Sequence, residues 1–104
     1  MAHEQIVHVV DDDSAMRDSI GFLLASAKLP SRQYESARAL LARAPNLEHG
    51  AILTDIRMPE MNGLELVLEL KRLGVPHPVI VLTGHPDVAL AVQAMKAGLV
   101  DFLE

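Results

Sequence analysis

The chain has 104 residues, 50% of them hydrophobic, which supports one domain built on one core. With 14 acidic residues against 9 basic ones and a net charge of -5, it is expected to bind no nucleic acid by itself. It has no cysteine, no apolar run near the roughly 20 residues that span a bilayer and no signal-peptide pattern, so a cytoplasmic protein without a membrane partner is expected.

Gln5 to Val10 is an apolar, Val-rich run that stops at Asp11-Asp12-Asp13, which suits a strand buried on both faces. Asp13 or Ser14 can cap a helix whose apolar positions are Met16, Ile20, Leu24 and Ala27, and Pro30 breaks it. Ser31 to Glu35 reads as a short polar strand at a sheet edge. Ser36 caps a helix carrying Leu40 and Leu41, with Pro45 beyond its end.

Gly50 to Ile56 is a central strand that ends on Asp55, and Pro59 with Asn62-Gly63 prevents it from continuing. Asn62 caps a helix with Leu64, Val67, Leu68 and Leu73, which Gly74 terminates. Val79 to Leu82 is a short apolar strand ending at Thr83-Gly84. Pro86 suits the first turn of a helix with Val88, Ala91, Val92 and Met95 on one face, and Leu99 to Leu103 is the last strand.

Strands alternating with helices imply an α/β fold: a doubly wound parallel sheet with right-handed crossovers. Five strands favour the flavodoxin-like order 2-1-3-4-5, which makes the first and third strands neighbours at the switch point. Asp11, Asp12 and Asp55 then meet in one crevice. Two unit charges about 4 Å apart repel by roughly 4 kcal/mol at an effective dielectric near 20, so a cation is expected there. Carboxylates without His or Cys ligands suit Mg2+. A carboxylate beside such an ion can serve as a nucleophile and form an aspartyl-phosphate, and Thr83 is placed to hydrogen-bond a phosphoryl oxygen. The chemistry points to metal-assisted phosphorylation of Asp55.

Val10-Asp11-Asp12-Asp13, the run Asp55-Ile56-Arg57-Met58-Pro59 followed by Gly63, Thr83-Gly84-His85 and Val100-Asp101-Phe102 together resemble a CheY-like receiver domain of two-component response regulators, of the FixJ-type subgroup. The resemblance runs along essentially the whole chain and implies one receiver domain over residues 1–104. It implies that Asp55 accepts a phosphoryl group from a sensor histidine kinase. It further implies Mg2+ held by Asp12 directly, by Asp11 mainly through water, by Asp55, and by the backbone carbonyl of Arg57. Thr83 and Phe102 would be the switch pair, whose movement alters the face made by the fourth helix and fifth strand. That face would control an output domain outside this chain, of DNA-binding type. Such a protein is not a metabolic enzyme but a phosphoacceptor that catalyses its own phosphorylation.

Two departures stand out. The Lys that receivers carry just after the fifth strand would follow Glu104, and the sequence contains no fifth helix, so the chain reads as a receiver truncated at its C-terminus. An uncovered sheet face predicts self-association, as a homodimer or otherwise, or marginal stability. His3, His8, His49, His77 and His85 lack paired ligand spacing and are not taken as a metal site. Arg57 and His85 match positions that border the phosphoryl group in the family. Alternatives from other classes are an Asp-nucleophile phosphatase, for which Asp11-Asp12-Asp13 has the spacing but not the following Gly and Thr, and a pseudo-receiver that only binds protein.

Overall fold

The apolar runs Val7–Val10 (β1), Ile52–Asp55 (β3), Val79–Leu82 (β4) and Val100–Leu103 (β5) pair in parallel, with the polar Ser31–Tyr34 (β2) at one edge. The computed structural model describes residues 5–82 and 100–103, with Leu82 and residues 100–103 described by their backbone. The sheet order is β2-β1-β3-β4-β5, as the sequence predicts for a CheY-like fold. Helices Ser14–Ser26 (α1), Ala37–Leu41 (α2) and Gly63–Arg72 (α3) follow β1, β2 and β3. The helix expected after Pro86 lies outside the described residues.

Side chains close the helix starts. Asp13 accepts from the amides of Ala15 and Met16, and Ser36 accepts from Ala39. Asn62 and Glu65 form a reciprocal capping box at the start of α3. At its end Gly74 takes a φ of 76°, a left-handed turn that glycine adopts without a Cβ penalty. Pro45 falls in a short 3-10 turn, Ala44–Asn46, beyond α2.

The core joins Val10, Ile52, Val79 and Val81 of the sheet to Ala37 and Leu40 of α2 and Leu66, Val67 and Leu70 of α3. The face of α3 differs from the expected one. Gly63, Leu66, Val67 and Leu70 are buried, whereas Leu68 and Leu73 are 49% and 47% exposed. The buried set follows i, i+3, i+4 and i+7 from Gly63, the residue that butts against β3. On α1, Ile20 and Leu24 are half-buried as expected but Met16 is exposed, and no residue of the helix is buried. Its neighbour β2 offers polar side chains: the Gln33 amide crosses under Gly21 and donates to the carbonyl of Arg17 at 3.0 Å.

Candidate functional site

Register brings the acids together. Val10 pairs with Thr54, so the next residues, Asp11 and Asp55, leave the sheet side by side. One carboxylate oxygen from each of Asp11, Asp12 and Asp55 lies within 4.8 Å of the others, the only such group of metal-ligating residues among those described. Burial is graded across the three. Asp11 is buried, Asp55 intermediate and Asp12 exposed.

Asp11 is held at three of its polar atoms. Its amide donates to the Tyr34 carbonyl at 3.2 Å, continuing the β1–β2 ladder by one bond. Its Oδ1 accepts from the Asp13 amide at 2.9 Å, and its carbonyl accepts from Arg17 Nη1 at 2.6 Å. Burial pushes the Asp11 carboxyl above the ordinary carboxylate range. The Asp13 amide opposes that rise, and the charges of Asp55, Asp12 and Asp13 add to it.

Asp55 stands where β3 becomes a loop. Its Oδ1 lies 3.4 Å from the Arg57 amide, and its carbonyl accepts from Thr54 Oγ1 at 3.0 Å. The loop returns at once, with the Gly63 amide donating to the Ile56 carbonyl at 2.9 Å. A Cβ at Gly63 would sit 2.4 Å from the Asp55 carbonyl oxygen, closer than real atoms approach. Glycine is therefore required for α3 to start against the acid's own backbone. Met58 and Met61 pack under this loop against the core, as gap-filling methionines do.

Asp11, Asp12 and Asp55 thus meet as the sequence predicts. Arg57 is exposed on the loop, with its amide directed at Asp55. Thr83 and His85 lie outside the described residues, and Phe102 enters as a backbone position paired with Val81. Three carboxylates with no nitrogen or sulfur donor suit a hard divalent cation, and the exposed side of Asp12 leaves room for water or phosphate oxygens.

A second polar cluster, at the opposite end of the sheet, escapes the sequence reading. His8 is 0% exposed within β1. Its Nε2 donates to the Glu48 carbonyl at 2.9 Å, and Nε2 of His77 donates to the same oxygen at 2.9 Å. A carbonyl only accepts, so both rings carry a proton on Nε2, and in the neutral ring Nδ1 of His8 accepts from the Tyr34 hydroxyl at 3.0 Å. Burial lowers the His8 pKa below its usual value of 6.5. Arg32 pairs with the Glu48 carboxylate at 2.5 Å. The signal for this cluster is one histidine inside an apolar strand, and its partners come from segments that only topology joins.

With the acidic crevice and the sheet order in view, comparison with known proteins places the molecule. The response regulator receiver domain model matches residues 7–104, and the chain belongs to that family. Among relatives it is 54% identical over 98 residues to the transcriptional regulatory protein FixJ of Azorhizobium caulinodans, covering 94% of this chain and 46% of that protein. It is 46% identical over 100 residues to the C4-dicarboxylate transport transcriptional regulatory protein DctR of Rhodobacter capsulatus, covering 94% and 51%. A crystal structure of FixJ-N superposes with a TM-score of 0.89 at 46% identity, covering 97% of this chain and 81% of that one. The chain is thus a receiver domain of FixJ type, and it spans about half the length of the curated relatives it matches. Receiver domains are the phosphoacceptors of two-component systems.

Proposed function

We propose that Asp55 is the phosphoacceptor of this receiver and that Asp11 and Asp12 hold Mg2+ beside it, with the Arg57 backbone carbonyl as a further ligand. The observation that carries this reading is the convergence of the three carboxylates within 4.8 Å at the C-terminal edge of the sheet. Bound there, the ion would neutralise the carboxylates and the incoming phosphoryl oxygens. The chain's own part is positional: β3 fixes Asp55 at the crevice, and the Asp13 and Arg57 amides orient Asp11 and Asp55. The donor is a sensor histidine kinase. Thr83 and Phe102 relay the modification to the fourth-helix and fifth-strand face, and an output domain in the parent protein reads it, controlling transcription as in FixJ-type relatives.

Incubating the full-length protein with a small phosphodonor and Mg2+ tests this by intact mass. One added phosphoryl group is expected, lost in Asp55→Ala. Persistence of the label in Asp55→Ala overturns the assignment, and steady turnover of a generic phosphoester favours the phosphatase instead. We extend the reading to self-association, for which Phe22 and Leu23 of α1, 73% and 66% exposed, offer apolar surface. Sedimentation showing a monomer at every concentration defeats that extension.

A further inference from the structure

Asp12 is the acid most open to solvent, and among the described residues no hydrogen bond holds its carboxylate. With its carboxylate unheld, Asp12 depends for its placement on its backbone, to which the peptide plane shared with Asp11 belongs. That plane has a specific brace. The Arg17 guanidinium reaches back from the first turn of α1 and donates to the Asp11 carbonyl at 2.6 Å.

Three features mark this contact as a brace for the crevice. Arg17 is half-buried and forms no ion pair among the described residues, although Asp11, Asp12, Asp13 and Asp18 surround it in sequence. Its charge is spent on a neutral carbonyl. Its own backbone is tied at both ends, the amide to the Asp13 carbonyl at 3.0 Å and the carbonyl to Gln33 of β2 at 3.0 Å. The Asp11 carbonyl, for its part, sits one residue beyond the last paired position of β1, past the amide bond to Tyr34 that ends the ladder on that side.

We infer that Arg17 is a positioning residue for cation binding: by clamping the Asp11 carbonyl it fixes the Asp11–Asp12 peptide and so aims the Asp12 carboxylate into the crevice. The inference rests on the Mg2+ reading above and deepens it. It runs against simple electrostatics, because a guanidinium beside a cation site repels the cation. Charge alone predicts that removing Arg17 tightens Mg2+ binding; positioning predicts that it weakens it.

Calorimetric Mg2+ titration of the full-length wild type, Arg17→Met and Arg17→Lys separates the two. Losing an outer-shell partner typically costs 10- to 100-fold in metal affinity, so about 10-fold weaker binding is expected for Arg17→Met. Lysine keeps the charge and one donor on a shorter stem, and an intermediate loss of about 3-fold is expected. A carbonyl-carbon NMR shift at Asp11 in both variants should report the broken or lengthened bond. Arg17→Met binding as tightly as wild type, or more tightly, overturns the inference. If Arg17→Met does not fold, Arg17→Lys decides, and unchanged affinity in it is equally fatal. A wild type that binds no Mg2+ overturns the metal reading itself, a result distinct from intact binding that ignores Arg17.

Discussion

At the C-terminal ends of β1 and β3, three carboxylates crowd within 4.8 Å and one is held above its ordinary pKa range by burial and its neighbours' charge. At the N-terminal end of the same two strands, two imidazoles share one carbonyl, a tyrosine hydroxyl completes the buried ring, and a surface arginine meets the nearby glutamate. Both ends are polar and both are partly buried. One concentrates like charge, while the other is a network of buried hydrogen bonds that still leaves Glu48 Oε1 and His77 Nδ1 without a partner among the described residues. The two strands that bring the acids together at one edge are thus anchored by buried hydrogen bonds at the other.

Breaking the anchored end should have the largest effect. His8→Ala leaves a cavity and strips partners from the Tyr34 hydroxyl and the Glu48 carbonyl. A loss of about 3 to 4 kcal/mol is expected in denaturant unfolding, against a small change for an exposed control such as Lys71→Ala. Next comes the joint between core and crevice. Gly63→Ala pushes a methyl group into the Asp55 carbonyl, and a loss of about 2 kcal/mol with weakened phosphorylation is expected from melting and labelling.

At the acidic end the sign reverses. Mg2+ at tenfold excess over its Kd should stabilise by about 1.4 kcal/mol, read as a rise in Tm. Asp11→Asn should stabilise the metal-free protein, since the amide oxygen can still accept from Asp13 while one charge is gone, and it should weaken the Mg2+ response.

The smallest and sharpest contrast is in pH. The folded pKa of His8 is lowered, so the unfolded chain binds the proton first, and stability falls as pH drops below 6.5. The folded pKa of Asp11 is raised above 3.8, so without metal the folded state takes up the proton first, and this contribution grows as pH falls towards 3.8. Replacing His8 by Asn should flatten the first slope and Asp11→Asn the second. A single slope that survives both changes would show that the two ends do not titrate separately.

Local chemistry and strand alternation made the fold and the acidic crevice legible. Asp13, Ser36 and Asn62 cap the helices expected of them, and five runs in alternation with helices gave the sheet order from topological rules. The α3 face was not legible, because Leu64, Leu66, Leu68, Leu70 and Leu73 offer apolar residues on more than one side of a short helix. What selects among them is the close approach of Gly63 to β3, a fact of packing. The histidine cluster was hidden for a different reason. His8 and His77 are distant in sequence, and neither their spacing nor their neighbours announce that one carbonyl will join them.

The short polar strand at the sheet's margin has a further effect. An outermost strand offers its free row of amides and carbonyls as a template on which another molecule's chain can grow, the first step of fibrous aggregation. Here that row is four residues long and carries the exposed, hydrophilic Arg32 and Gln33, a poor seed for foreign strands. At this edge of the sheet, open-ended stacking is thereby disfavoured.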